Sequence, residues 1–100
     1  KPTKASKTQF RNTREMALSY FIAGETKECD EDQGFALSKW SKITFENSQI
    51  TINGDLGFAM GNYYFENKSG KVKVEFSFGY REIDDSIKIF LHHSSIPYKL

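Results

Sequence analysis

Residues 72–97 read VKVEFSFGYREIDDSIKIFLHHSSIP, and the rest of the chain is arranged around this stretch. It contains two strand-like segments joined by a short acidic turn. Because a β-strand turns alternate side chains to opposite faces, the first segment separates into an apolar and a polar face. The apolar face carries Val72, Val74, Phe76, Phe78 and Tyr80, and the polar face carries Lys71, Lys73, Glu75, Ser77 and Arg81. This pattern predicts a strand with one buried face and one solvated face.

The second segment changes character along its length. Ile87, Ile89 and Leu91 form an apolar row, which a regular strand would continue into His93 and Ser95. Burying an imidazole or a hydroxyl group without a hydrogen-bond partner costs about 1 to 3 kcal/mol. The sequence therefore predicts a polar pocket at this end of the sheet, with His93 and Ser95 on its inner face.

The composition indicates a single folded domain. The chain has 100 residues, and 38% hydrophobic residues with 15% aromatic residues are enough for a packed core. A net charge of +1 argues against nucleic acid or a membrane surface as a partner. The single cysteine, Cys29, excludes an intrachain disulfide and a cysteine-based metal cluster.

One helix is predicted near the start of the chain. Asn12 is a suitable N-cap, Glu15 follows it at capping-box spacing, and Gly24 marks the end. Tyr20 lies on the apolar side of this helix, so its hydroxyl group is expected to point inward and to need a partner. Residues 25–34, ETKECDEDQG, carry five acidic side chains and are predicted to form an exposed loop.

From Phe35 onward the sequence is rich in strands. Turns predicted at 53–55, 66–70 and 81–86 separate four strands, and the first strand is interrupted near Asn47 and Ser48 by a bulge or bend. Consecutive strands joined by short turns form an antiparallel meander. The predicted fold class is α+β, with one curved antiparallel sheet and the helix on one of its faces.

The chemistry-bearing residues favour a pocket of hydroxyl and imidazole groups. Adjacent His92 and His93 point to opposite faces of a strand, so they cannot both bind one metal ion without a break in the strand. No Gly-x-Ser-x-Gly motif places a serine on a nucleophile elbow. The candidates that remain are Thr3, Tyr20, His93 and Ser95, which could bind a small polar molecule and orient water.

Several motifs carry a resemblance to a known family. They are KPT at 1–3, ALSYF at 17–21, AMGNYYF at 59–65, FGY at 78–80 and HHSSIP at 92–97. Residues 57–98 resemble the association-domain-like branch of the NTF2-like superfamily, which is named after the hub domain of calcium/calmodulin-dependent protein kinase II. More narrowly, the chain resembles the iota-class carbonic anhydrases of algae and bacteria, and HHSS followed by proline is the most specific element.

The resemblance implies a fold, an activity and a site. The fold would be an NTF2-like (cystatin-like) cone, spanning 1–100 as one domain and lacking its N-terminal helical portion. The activity would be reversible hydration of CO2 to bicarbonate without a metal or another cofactor, in a homodimer formed through sheet faces. The implied compartments are the chloroplast of an alga or the bacterial periplasm. The implied catalytic residues are Thr3, Tyr20 and Ser95, with Ser94 as the alternative serine of the motif. Together with the inward face predicted for His93, this makes His93 and Ser94 the predicted substrate-binding residues.

Two other functions stay open at this point. A non-catalytic oligomerisation hub of the kinase association-domain type would form a stable higher oligomer without hydratase activity. A pocket like that of ketosteroid isomerases or polyketide cyclases would need a catalytic Asp or Glu inside the cone. Only Glu46 and Glu66 are candidates for such an acid, because the other acidic residues fall in turns or on the polar strand face.

Overall fold

The computed structural model describes all residues, 1–100, and contains one helix and one four-stranded antiparallel sheet with the order β1-β2-β3-β4. The elements are α1 (Arg14–Ile22), a short 3-10 helix (Phe35–Leu37), β1 (Lys42–Asn53), β2 (Leu56–Asn67), β3 (Gly70–Ile83) and β4 (Ser86–Ser95). The predicted meander and the curved sheet with one helix are confirmed. The one α-helix of the structure is not long and apolar enough to cross a membrane.

The bulge predicted in the first strand is present in β1. Asn47 pairs with Gly61 and Gln49 pairs with Met60, so Ser48 is the extra residue. A Cβ atom at Gly61 would collide with the carbonyl oxygen of Glu46 and would lie 2.9 Å from the Cα of Asn47. Glycine is therefore needed where β1 bends toward β2.

A second bulge, which the alternation pattern did not predict, lies in β4. Gly79 pairs with Leu91 whereas Tyr80 pairs with Ile89, so Phe90 is the extra residue. The Phe90 ring lies over Gly79, and a Cβ atom added to Gly79 would be only 2.8 Å from Cζ of Phe90. The same ring makes an edge contact with the Phe58 ring, with 6.2 Å between the ring centroids. Glycine on one strand therefore makes room for the additional aromatic side chain on the other.

This bulge reverses the order of faces in the HHSS motif. His92 pairs with Phe78 and Ser94 with Phe76, and paired residues share a face, so His92 and Ser94 point toward the core. The prediction that His93 and Ser95 face inward is therefore wrong. It assumed a regular strand, and one extra residue moves every later side chain to the opposite face.

The core lies on the concave face of the sheet. It consists of Ala59, Tyr63, Phe65, Val74, Phe76 and Phe78. Phe35 and Trp40 pack against this cluster, and the Tyr20 ring of α1 stacks on Phe35 with 5.6 Å between the ring centroids. The helix is thus connected to the sheet through the aromatic residues that follow it in the chain.

Two details around the helix differ from the prediction. The N-cap is Thr13, whose hydroxyl oxygen accepts the Met16 backbone N–H at 3.1 Å, and not Asn12. The acidic loop is also not fully exposed, because Asp32 is only 2% exposed and Cys29 only 7%. The Arg11 guanidinium pairs with the Asp32 carboxylate and offsets the cost of burying it.

Large apolar side chains remain exposed at the far end of the sheet. Every residue of β1 is exposed on at least part of its surface, and Ile52 and Ile87 are 76% and 73% exposed. Phe58, Met60, Phe90 and Leu91 form a second apolar patch on the convex face. The part of the sheet that α1 and residues 1–3 do not cover is therefore unusually apolar for a solvated surface.

Candidate functional site

A cavity of about 560 Å³ lies between the concave face of the sheet, α1 and the segment that follows α1. Its polar groups come from Thr3, Tyr20, Lys39, Tyr63 and His92. Its apolar walls come from Phe21, Phe35, Trp40, Ile43, Phe45, Phe65 and Phe78. An apolar cavity with a few convergent polar groups is typical of a site for a small molecule.

Tyr20 projects into this cavity from α1 and is only 6% exposed. Its phenol oxygen accepts the backbone N–H of Lys4 at 3.1 Å. Burial raises the pKa of the Tyr20 hydroxyl above its ordinary value, while hydrogen bonds from Lys4 and Thr3 partly oppose this effect. The phenol is therefore protonated at neutral pH, and because its oxygen already accepts hydrogen bonds, its own proton is available to a ligand.

Thr3 reaches the same cavity because the start of the chain runs along the end of β4. The Ser94 backbone N–H donates to the Lys1 carbonyl oxygen at 2.8 Å, and the Lys1 nitrogen donates to the His92 carbonyl oxygen at 2.6 Å. These bonds add a short row of backbone pairing along the free edge of β4. Thr3 is 7% exposed as a result, close to the phenol of Tyr20.

A continuous chain of hydrogen bonds runs beneath the cavity. The Ser94 hydroxyl, which is fully buried, lies 2.8 Å from the Tyr63 hydroxyl and 2.9 Å from Nε2 of His92. Tyr63 and His92 both line the cavity, whereas Ser94 joins them from behind. This arrangement fixes the two ring systems relative to each other, because each buried polar group depends on its neighbour.

His93 and Ser95 lie on the other side of the sheet. The Ser95 hydroxyl donates to Oε1 of Glu75 at 3.0 Å on an exposed part of the convex face. His93 and Ser95 share a polar pocket there with Asn62 and Ser77. Of the residues proposed from the sequence, the structure therefore brings Thr3 and Tyr20 together with His92 and Ser94, and separates His93 and Ser95 from them.

Burial lowers the pKa of His92 to about 4, from an ordinary value of 6.5, and nearby positive charges contribute to this shift. The imidazole is therefore neutral at pH 7. A neutral imidazole has one donor and one acceptor nitrogen, which suits the bond to Ser94 at Nε2. Such a low pKa makes His92 a weak base for proton transfer near neutrality.

The lowered pKa of His92 predicts a loss of stability at mildly acidic pH. As the pH falls below 6.5 the unfolded chain binds a proton at this residue before the folded chain does, so the free energy of unfolding decreases. Between pH 7 and 5 we expect a decrease of about 1 kcal/mol, after allowing for the partial exposure of the ring. Urea unfolding at several pH values will measure it.

Two variants separate this effect from other titrations. His92→Gln retains a hydrogen-bonding group but does not titrate, so its stability should change much less over this interval. His93→Gln, on the convex face, should retain most of the wild-type dependence. Equal slopes for the wild type and His92→Gln would contradict the assignment. Glu31 does not interfere in the folded state, because its pKa is lowered to about 2 by backbone N–H groups of residues 6–8.

The alternation pattern missed Tyr63 and His92. Tyr63 shares a strand face with Gly61 and Phe65, where an aromatic residue is typical of the core. A regular β4 would put His92 on the outer face, and the extra residue at Phe90 turns it to the inner face. The signal that could have identified His92 is the HHSS motif in its other register, in which His92 and Ser94 lie opposite Phe78 and Phe76.

No acidic side chain lines the cavity. Glu46 and Glu66 fall on the convex face, because their neighbours Phe45 and Phe65 line the concave cavity. This arrangement offers no catalytic carboxylate of the kind that a ketosteroid isomerase-like site would require. The structure also contains no group of three or more His, Cys, Asp or Glu side chains placed to hold a metal ion.

Comparisons with known proteins agree on one family. A family model described as metal-independent carbonic anhydrase matches residues 1–96. A curated metal-independent carbonic anhydrase from Nostoc sp. is 42% identical over 102 residues, which cover 99% of this chain and 49% of that protein. A crystal structure of a cyanobacterial iota-carbonic anhydrase complexed with bicarbonate superposes with a TM-score of 0.89 at 39% identity, covering 99% of this chain and 62% of that chain. The chain thus spans about half the length of the curated relative.

Proposed function

The chain belongs to the metal-independent carbonic anhydrase family, and on this premise we propose that it catalyses the reversible hydration of CO2 to bicarbonate in the concave cavity. The observation that carries the proposal is the set of hydroxyl and imidazole groups, from Thr3, Tyr20, Tyr63 and His92, in a cavity whose other lining is apolar apart from Lys39. Bicarbonate is the ligand named for the cyanobacterial structure. An oligomerisation hub without activity would have no need for such a set of groups.

Tyr20 is the principal donor in this proposal. Attack of water on CO2 places negative charge on the CO2 oxygens, and a fixed O–H donor stabilises that charge more than it stabilises neutral CO2. The Lys4 N–H that donates to the phenol oxygen leaves the phenol proton directed elsewhere. Thr3 is the second polar group on the same side, and it holds the attacking water.

Ser94 replaces Ser95 as the serine of this mechanism. Its hydroxyl bonds both Tyr63 and His92, so it sets the orientation of the two rings that face the substrate. Neutral His92 then serves as a hydrogen-bonding group for the bicarbonate oxygens or for water. Because the pKa of His92 is about 4, the proton released during hydration passes to solvent or buffer and does not reside on this imidazole.

The apolar walls contribute by favouring the uncharged substrate. CO2 has no net charge and loses little on entering an aromatic environment, whereas bicarbonate loses much of its hydration there. Phe35, Trp40 and Phe45 are among the residues that supply this environment. The cavity therefore admits CO2 readily and holds bicarbonate only as firmly as the few donors allow, which favours product release.

The direct test is CO2 hydration measured by stopped flow in the presence of a strong metal chelator. We expect catalysis above the uncatalysed rate that is unchanged by chelator, because every group assigned a role belongs to the protein itself. A rate equal to buffer alone, from folded protein, would contradict the proposed function. Restoration of activity only after addition of zinc would contradict the metal-independent mechanism.

Three finer assignments accompany this proposal. We assign the fold to the association-domain-like branch of NTF2-like proteins, since a curved sheet with a helix on its concave face is the arrangement such a cone requires. The exposed apolar side chains of the sheet support a homodimer formed through sheet faces and a further helical segment that completes the cone over Ile52 and Ile87. Light scattering at micromolar concentration tests the dimer. The implied chloroplast or periplasmic location stays a prediction.

A further inference from the structure

A buried ion pair lies directly behind Tyr20. The Arg11 guanidinium donates through Nη1 and Nη2 to the two carboxylate oxygens of Asp32 at 2.9 and 2.8 Å, and the two side chains are 2% and 0% exposed. Its remaining donors reach the carbonyl oxygens of Thr8, at 2.7 Å, and Met16, at 2.9 Å. The guanidinium thus joins three segments of the chain, which a lysine could not do with the same geometry.

A second carboxylate fixes the neighbouring backbone. Glu31 accepts the backbone N–H groups of Ser6, Lys7 and Thr8 at 2.8, 3.0 and 2.6 Å. Three charge-assisted bonds to consecutive amides hold this segment in one conformation. The same segment contains Lys4, whose amide donates to the Tyr20 phenol two residues before Ser6.

The ion pair also touches the helix that carries Tyr20. The Ser19 hydroxyl donates to Oδ2 of Asp32 at 2.6 Å, and Ser19 precedes Tyr20 in α1. The Arg11 guanidinium carbon lies 5.9 Å from the centroid of the Tyr20 ring. The same charged groups therefore hold both the helix that carries Tyr20 and the segment whose amide bonds the Tyr20 oxygen.

We propose that Arg11, Glu31 and Asp32 are positioning residues for the reaction: they hold residues 3–8 against α1 so that Thr3 and the Lys4 amide meet the Tyr20 hydroxyl. This inference rests on the proposed function. It gives the acidic loop, expected from the sequence to be solvated, a role in setting the geometry of the site. None of the three residues lines the cavity or needs to touch the substrate.

Two variants that retain most of the packing test the proposal. Glu31→Gln removes the charge that binds three amides, and Arg11→Lys retains the charge but loses the fork. We expect each to lower kcat for CO2 hydration about 5- to 20-fold with less than a twofold change in KM, since CO2 itself is not bound by these residues. Asp30→Asn, on the adjacent exposed position, is the matched control and should match the wild type.

A spectroscopic measurement distinguishes positioning from loss of folded protein. In protein labelled with 13C at Cζ of tyrosine, the Tyr20 resonance, assigned from its absence in Tyr20→Phe, should shift in Glu31→Gln and Arg11→Lys but not in Asp30→Asn. A merely structural role would reduce the folded fraction and leave the Tyr20 resonance of the folded molecules unchanged, and that result would overturn the inference.

The experiment separates this inference from the proposed function. If the wild type hydrates CO2 and both variants retain its kcat and its Tyr20 resonance, the positioning role is wrong and the activity stands. If the folded wild type does not hydrate CO2, the proposed function is wrong. The positioning role in catalysis is then wrong as well, regardless of any shift in the Tyr20 resonance.

Discussion

Replacing Tyr20 with phenylalanine is expected to lower kcat/KM for CO2 hydration about 100- to 1000-fold, the loss typical when one donor to a developing oxyanion is removed. The substitution deletes only the hydroxyl group, and the ring keeps its stacking on Phe35 at 5.6 Å. The Lys4 amide loses its acceptor, which adds a modest cost in stability of about 1 kcal/mol. The measurement is stopped-flow hydration with chelator present.

Tyr98→Phe is the matched control for this experiment. Tyr98 is 88% exposed and lies beyond β4, so the same chemical change there should leave the rate unaltered. Circular dichroism and a urea titration of both variants establish that equal amounts of folded protein are compared. A Tyr20→Phe variant that is folded and fully active would remove the phenol from the mechanism and would leave Thr3, Lys39, Tyr63 and His92 as the polar groups that line the cavity.

The second large effect is expected at Ser94. Ser94→Ala should reduce kcat/KM about 100-fold, because a shift of about 1 Å in a catalytic group has an effect of this size. The hydroxyl is the shared partner of Tyr63 and His92, so its removal leaves both without this bond and lets the rings move. Loss of these buried bonds should also lower the free energy of unfolding by about 1 to 3 kcal/mol.

Ser95 is the control for Ser94, and it is also the serine that a regular strand would turn toward the cavity. Ser95→Ala removes one exposed hydrogen bond to Glu75. We expect its free energy of unfolding to stay within about 0.5 kcal/mol of the wild type and its kcat/KM to be unchanged. A large loss in Ser95→Ala with normal activity in Ser94→Ala would mean that the regular register predicted from the sequence holds in solution. The pair of variants therefore tests the position of the β4 bulge as well as the role of the hydroxyl.

Much of the fold could be predicted from residue patterns because those patterns act locally. The alternation from Val72 to Tyr80 requires a half-buried strand, and the turn residues near Gly54 and Gly70 connect strands in the antiparallel sense. Tyr20 was correctly placed on the inner side of the helix, since a 3.6-residue period brings it next to its apolar neighbours. The irregularity near Ser48 was also visible, as an interruption in the apolar alternation.

The acidic loop shows where local patterns are insufficient. A run containing Cys29, Glu31 and Asp32 has the composition of a solvated loop, and most of its residues are indeed exposed. Asp32 is buried because Arg11, 21 residues earlier in the chain, presents a guanidinium to it with nearly ideal geometry. No residue of the loop indicates that Arg11 is its partner. A carboxylate such as that of Asp32 is buried only when an oppositely charged partner is present.

By itself, the sequence determined the four-stranded meander, the single helix, the inward phenol and the motifs of the family, because strand and helix periodicity are properties of neighbouring residues. Only the tertiary structure decided which histidine and which serine of HHSS face the cavity. That choice depends on the extra residue Phe90, which fits over Gly79 and against Phe58, and these two residues lie on other strands. Side chains on a strand alternate between the two faces of the sheet. One extra residue, held in place by packing against other strands, therefore turns every later side chain of β4 to the opposite face.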